Sequence, residues 1–170
     1  MGAKLRLFKD AATIQARVRD LGLAVAATHR DRNPIVIGLL NGGFVFLADL
    51  VRAMDMPCEV EFWRVASYGS GTTSSGEVEE PWPPLVNVAG RHVVVVEDIV
   101  TSGRTIRYIR AELARRQAAS VTIVALLKTM SCTEPLDYIG FVCGPHFLVG
   151  YGLDLDGQLR NLPDLHYLVA

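Results

Sequence analysis

Four consecutive valines, Val93-Val94-Val95-Val96, run into an acidic pair, Glu97-Asp98. Successive strand residues point to opposite faces, so a β-branched run predicts a strand buried on both sides, inside a parallel sheet. The two carboxylates follow at the C-terminal end of that strand. Next come Thr101-Ser102-Gly103-Arg104, and Thr105-Ile106 opens a helix with Ile106, Ile109 and Leu113 on one stripe. Open α/β sheets bind ligands just beyond the carboxyl ends of their strands. A short glycine-containing turn there aims backbone N–H groups and the positive helix end at an anion, most often phosphate. Hydroxyls of Thr101, Ser102 and Thr105 add donors, while Glu97 and Asp98 suit sugar hydroxyls or a metal ion. The segment reads as a ribose-phosphate site.

A second unit of the same kind lies upstream. Ile14, Val18, Leu21 and Val25 recur at helical spacing within residues 11–30, and Asn33-Pro34 ends that helix. Ile35 to Leu40 reads as a buried strand, Asn41-Gly42-Gly43 as a turn, and Phe44, Leu47, Val51 and Met54 as the stripe of a second helix. Bare glycines in such a turn let the backbone approach an anion closely. A strand is expected from Glu59 to Ser67, then a long Gly/Ser/Thr/Pro-rich loop from Tyr68 to Pro84, of the kind that serves as a lid. Gly71 to Gly76 has Walker A glycine spacing, but Glu77-Val78 stands where Lys-Ser/Thr is required, which excludes a P-loop NTPase. Further strands are expected at Val121–Leu127, followed by Lys128, then at Ile139–Cys143 and Phe147–Gly150, with an irregular tail from Asp154 to Ala170. This order predicts an α/β fold: a doubly wound, mostly parallel sheet with the tail as a small C-terminal hood, in one domain spanning 1–170.

A net charge of −1 gives no basic footprint for nucleic acid. Three scattered cysteines, Cys58, Cys132 and Cys143, build neither a disulfide framework nor a zinc site and fit a reducing compartment. No apolar run approaches the roughly 20 residues of a membrane span, and the N-terminus lacks a signal-peptide core. The expectation is a cytoplasmic protein with no membrane or nucleic-acid partner. A 50% hydrophobic composition in so small a domain predicts self-association through exposed apolar surface.

The acid pair, hydroxyl-rich turn and helix resemble the signature of the type I phosphoribosyltransferases, which bind 5-phosphoribosyl-1-pyrophosphate (PRPP). Four further segments, in the same order as in the hypoxanthine-guanine branch, extend the resemblance from Asn33 to the C-terminus. It implies that Glu97 and Asp98 sit under the ribose hydroxyls and that Thr101, Ser102, Gly103, Arg104 and Thr105 wrap the 5′-phosphate. Asn41 and Gly42 would meet pyrophosphate, although many members carry Lys in place of Asn41. Ser67 and Tyr68 would open a flexible loop that folds over the reacting centre. Lys128 would donate to the six-position oxygen of a purine.

Phe147-Leu148-Val149-Gly150-Tyr151-Gly152-Leu153-Asp154 is similar to a second family run. Taken without the family Phe147 reads as a core residue; by the match it stacks on the purine, and Leu148 uses backbone atoms on the base edge. Asp154 would help Glu97 and Asp98 hold Mg²⁺, and Arg160 would pair with pyrophosphate oxygens. The resemblance further implies homodimers or homotetramers.

Thr101 departs from the branch, which usually carries Asp there as the group that holds the proton of the attacking purine nitrogen. A hydroxyl cannot take a full proton near neutral pH. The leading expectation is a Mg²⁺-dependent purine-salvage enzyme joining hypoxanthine or guanine to PRPP. The alternatives are a phosphoribosyltransferase for another nucleobase and a weakly catalytic PRPP- or nucleotide-binding regulator.

Overall fold

A computed structural model describes residues 4–65 and 84–169. The elements are β1 (Lys4–Lys9), α1 (Ala11–His29), β2 (Ile35–Leu40), α2 (Phe44–Met54), β3 (Glu59–Arg64), β4 (His92–Val100), α3 (Arg104–Arg115), β5 (Ser120–Thr129), β6 (Tyr138–Cys143), β7 (Leu148–Val149) and β8 (Leu165–Val169). Five strands form a sheet in the order β3-β2-β4-β5-β6, and every pairing in it is parallel.

The valine run lies at the centre of this sheet and divides between two cores. Val94 and Val96 pack with Ile14, Val18 and Leu21 of α1 and Phe46, Leu47 and Leu50 of α2. Val93 and Val95 pack with Ile106, Ile109 and Leu113 of α3 on the opposite face. All four are fully buried, and each such side chain contributes about 1.5–3 kcal/mol of burial free energy. Helices on both faces make the sheet doubly wound, as expected from the sequence.

β4 runs further than the valines suggest. Glu97, Ile99 and Val100 keep register with Ala125, Leu127 and Lys128 of β5, so the acid pair belongs to the strand rather than following it. Asp98 has no partner in that register; its carboxylate accepts instead from the Ile99 N–H at 2.8 Å. Lys128 is likewise within β5, one residue before its end.

The second sheet corrects the expected irregular tail. β8 pairs antiparallel with both β1 and β7, in the order β1-β8-β7. The amino-terminal strand was not foreseen, because Lys4-Leu5-Arg6-Leu7 keeps Leu5 and Leu7 exposed and its pairing partner lies at the far end of the chain. The expected Phe147–Gly150 strand contracts to Leu148–Val149 and joins this sheet, leaving the central one. Asp164 ties the tail to α1 by accepting from the Ala11 N–H at 2.7 Å, next to the N-cap Asp10, which accepts from Thr13 N–H. β3 stops at Arg64; the rest of the strand expected to Ser67, and the loop with Ser67 and Tyr68, lie outside the described residues.

Candidate active site

β2 pairs with β3 on one side and β4 on the other, and the chain leaves β2 through α2 and β4 through α3, on opposite faces of the sheet. The crevice between the carboxyl ends of β2 and β4 is therefore the topological switch point of the sheet, where ligands of open α/β folds bind. Both glycine turns and both acids meet there.

The acids are in close contact. The Asp98 N–H donates to Glu97 Oε1 at 3.2 Å. Desolvation first, and then the negative charge of Asp98 beside it, push the Glu97 carboxyl well above the usual carboxylate range. The oxygens of the two carboxyls lie side by side at the strand end, where they can accept from adjacent sugar hydroxyls.

Gly42 lies against this pair. A Cβ there would stand 1.6 Å from Asp98 Oδ2, so no side chain fits between the β2 turn and the acid. Gly152 closes the other side, where a Cβ would lie 2.2 Å from the Gly42 carbonyl oxygen. The Leu40–Asn41 peptide is cis, and Asn41 is exposed. Asp98, Gly42 and Gly152 thus form a close backbone stack that brings the run after β7 to the switch point. Gly152 had no assigned part in the sequence reading.

The turn after β4 is open. Thr101 and Ser102 are exposed, Gly103 has φ +74°, and α3 starts at Arg104 without a side-chain cap. The Arg104 N–H donates to Ser102 Oγ in a long bond of 3.4 Å, and the next N–H groups of the first turn of α3 remain available to an anion. The Thr129 hydroxyl donates to the Thr101 carbonyl at 3.1 Å, which joins this turn to the end of β5 and to Lys128.

Asp154 and Arg160, expected at metal and pyrophosphate respectively, are paired with each other. Arg160 Nη2 is 2.7 Å from Asp154 Oδ1, and its Nη1 donates to the Gly152 carbonyl at 2.6 Å. Gly157 N–H donates to the other Asp154 oxygen at 2.8 Å. Arg160 also borders a cavity of about 440 Å³ with Phe44, Asp49 and Tyr151. The Tyr151 hydroxyl donates to Asp49 Oδ2 at 2.5 Å, a link between this loop and α2 absent from the sequence reading.

Among the described residues no three His, Cys, Asp or Glu side chains converge as metal ligands. The expected trio of Glu97, Asp98 and Asp154 is thus not a preformed cage, because Asp154 is held by Arg160 and Gly157. Glu97 and Asp98 alone fit the other mode of Mg²⁺ binding, in which one or two carboxylates act together with substrate phosphates.

At the opposite lip, Phe147 is 55% exposed, so the core reading of this ring fails and a face is free for stacking. Leu148 is buried, which limits any ligand contact to its backbone.

Residues 9–156 match the model of the phosphoribosyl transferase domain. The chain belongs to the phosphoribosyltransferase family, in its hypoxanthine-guanine branch. It is 37% identical to the hypoxanthine phosphoribosyltransferase of Haemophilus influenzae over 155 residues, covering 88% of this chain and 87% of the relative. It is 39% identical to the hypoxanthine-guanine phosphoribosyltransferase of Bacillus subtilis, covering 88% and 85%. A solved hypoxanthine-guanine phosphoribosyltransferase from Bacillus anthracis superposes with a TM-score of 0.88 at 30% identity, over 99% of this chain and all of that one. The bifunctional protein TilS/HprT of Listeria innocua is 42% identical over 88% of this chain, but the chain spans only 24% of that protein's length. The family's fold is the fold described above, including the hood.

Proposed function

We propose that this phosphoribosyltransferase joins hypoxanthine or guanine to PRPP, releasing pyrophosphate and giving the nucleoside monophosphate, as a step of purine salvage. The observation that carries the reading is the contact of Asp98 with Gly42 at the switch point, which sets the β2 turn, the acid pair and the β4 turn around one crevice. Each role below follows from that geometry together with the family resemblance.

Glu97 and Asp98 hold the ribose hydroxyls. The turn from Thr101 to Thr105 receives the 5′-phosphate on its backbone N–H groups, with Arg104 adding charge. Asn41 and Gly42 offer backbone to pyrophosphate, and Arg160 turns its guanidinium fork from Asp154 toward the same oxygens. As the bond from C1 of the ribose to pyrophosphate breaks, the purine nitrogen, whose proton has gone to solvent, forms the new bond. The carbon passes through an oxocarbenium-like state, so positioning and exclusion of water carry most of the catalysis. Mg²⁺, carried in with PRPP and touched by Glu97 and Asp98, would supply charge neutralisation for the departing pyrophosphate. Lys128, at the end of β5, donates to the six-position oxygen while Phe147 stacks on the ring and the Leu148 backbone meets the base edge. A donor at that position penalises adenine, whose amino group cannot accept the bond.

Thr101 supports a second reading, in which the preferred base differs. A threonine at this place offers no strong acceptor for the purine proton. Turnover of PRPP against a panel of hypoxanthine, guanine, xanthine, adenine and orotate decides between the two. The first reading requires 6-oxopurines to lead and the preference over adenine to collapse in Lys128→Ala. Equal rates with adenine would remove it.

A cytoplasmic location and self-association belong to the same proposal. No described helix is long and apolar enough to cross a membrane. Val60 and Phe62 of the edge strand β3 pair with Val36 and Gly38, on the face that α2 covers, and both are exposed, as is Phe44 of α2. Apolar side chains gathered at a sheet edge support a dimer or tetramer built there. A monomeric mass at micromolar concentration would count against it.

A further inference from the structure

Glu134 follows β5 in a stretch with no periodicity, Cys132-Thr133-Glu134-Pro135, and nothing in the proposed reaction uses it. It is nevertheless one of two polar or charged residues buried in the described structure, the other being His29. Its side chain is 10% exposed and meets Arg107 of α3, whose Nη1 donates to Glu134 Oε2 at 2.7 Å. Arg107 stands one turn into the helix, its N–H donating to the Gly103 carbonyl at 3.0 Å, and its Nη2 reaches the Ser102 carbonyl at 3.4 Å. The stem of Glu134 fills the space beside the turn: a Cβ on Gly103 would lie 2.5 Å from Glu134 Cβ.

We propose that the Glu134–Arg107 pair is a positioning device that fixes the Ser102–Gly103 turn from the loop after β5. The inference rests on the reading of that turn as the 5′-phosphate site. A carboxylate near a phosphate dianion is unfavourable by charge alone, and a buried one is costly unless paired. Paired with Arg107 it adds little net charge to the turn, and what it supplies is geometry. Together with the Thr129–Thr101 hydrogen bond it gives the turn two attachments, one to the end of β5, which carries Lys128, and one to the loop that follows it. Glu134 and Arg107 touch neither base nor ribose; they act through the backbone of the turn.

The test is the affinity for ribose 5-phosphate by calorimetry, beside KM for PRPP, KM for the base and kcat. Glu134→Gln and Arg107→Ala should each weaken ribose 5-phosphate binding and raise KM for PRPP about tenfold, the scale of one charge-assisted hydrogen bond. KM for the base should stay within about twofold and kcat within about threefold of the parent, because the reacting centre is untouched. The double variant should lose no more than either single one, since both remove the same link. Arg107→Lys, which keeps a bond to Glu134, should fall between. Arg115→Ala, which removes an exposed ion pair with Glu112 at the far end of α3, should change nothing. Arg107 is half-exposed, so its variant remains informative if a Glu134 variant does not fold.

Unchanged or tighter ribose 5-phosphate binding in both variants would overturn the proposal. Equal losses in kcat and in both KM values would overturn it too, since that pattern marks general damage. Absence of PRPP turnover in the parent chain would strike the functional reading instead, while ribose 5-phosphate binding still reports on the pair.

Discussion

At the end of β2, the turn glycines are pressed against their neighbours: Gly42 against Asp98, and Gly43 within 2.7 Å of the Leu39 carbonyl were it to carry a Cβ. At the end of β4, Gly103 adopts φ +74° and opens a helix whose first residues are Arg104 and Thr105. α2 instead begins Phe44-Val45-Phe46, with Gly43 in a right-handed conformation. Two strand–turn–helix units of the same topology thus use glycine for different physical reasons. The first needs only the absence of a side chain for close approach; the second, itself close to Glu134, needs in addition a backbone conformation that L side chains adopt only with strain. The apolar start of α2 leaves only backbone to meet a ligand, whereas the β4 turn adds hydroxyls and cations. In the proposed reaction, pyrophosphate, which departs, would meet the sparser turn, and the 5′-phosphate, which stays, the richer one.

The largest expected effect lies in the β4 turn. With Thr101 supplying no base, turnover on hypoxanthine should rise with pH as the purine itself ionises. Thr101→Asp should then accelerate the reaction near neutral pH, within the roughly 10²–10⁴-fold range of general-base assistance. Rates at saturating PRPP separate this from charge repulsion by a third acid beside Glu97 and Asp98. Flat pH profiles and no gain in the variant would show that the position holds no vacated base.

Gly42→Ala comes next. Its methyl group collides with Asp98, so the acid pair shifts, and displacement of about 1 Å at a reacting centre costs on the order of 10²-fold in kcat. Survival of activity would mean that the two turns do not share Asp98 as a common wall. By contrast, Gly103→Val strains the backbone by about 1–3 kcal/mol and meets Glu134. It should therefore raise KM for PRPP about tenfold or more and change kcat less. If the two glycine variants gave the same kinetic pattern, the distinction between the turns would be lost.

The smallest effect concerns the far end of α3. Glu112, bonded to Arg115 and Arg116, has its carboxyl lowered to about 2 from an ordinary 4.5. A depressed folded-state value stabilises the fold above the unfolded value, and that part is lost as pH falls from about 4.5 toward 2. The pair is near the surface, so it is worth no more than about 1 kcal/mol. Glu112→Gln should lower the melting temperature by about 1–4 °C at neutral pH, erase that part of the acid sensitivity, and leave KM for PRPP unchanged. A KM effect from this distance would mean that α3 transmits strain to its turn.

Much of the central sheet was legible because burial on both faces leaves a strong mark: the valine run, the Ile35–Leu40 run and the stripes of α1 and α3 folded as read, whereas in α2 Leu47 and Met54 are buried, Phe44 is exposed and Val51 half-buried, and Phe46 and Leu50 take the buried face instead. The turn after β4 was legible through local chemistry, with acids, hydroxyls and glycine in one contiguous segment. The hood was not. β1 is polar on alternate positions and exposed, and its partner β8 lies 156 to 165 residues away by register, so no local signal marks either strand. The Asp154–Arg160 pair and the Tyr151–Asp49 bond escaped for a related reason. Each residue was noticed or ignored singly, and charge pairing in a tight loop or across elements has no sequence period.

By itself, then, the chain's order of residues determined a doubly wound parallel sheet and the identity of the groups at its carboxyl edge, because hydrophobic periodicity and turn chemistry act over a few residues. Tertiary structure alone decided that Gly42 packs on Asp98, that Asp154 pairs with Arg160, and that Glu134 is buried beside the turn after β4. Those are contacts between segments distant in sequence or folded back on themselves. Their energies depend on distance and desolvation, which only the assembled fold sets.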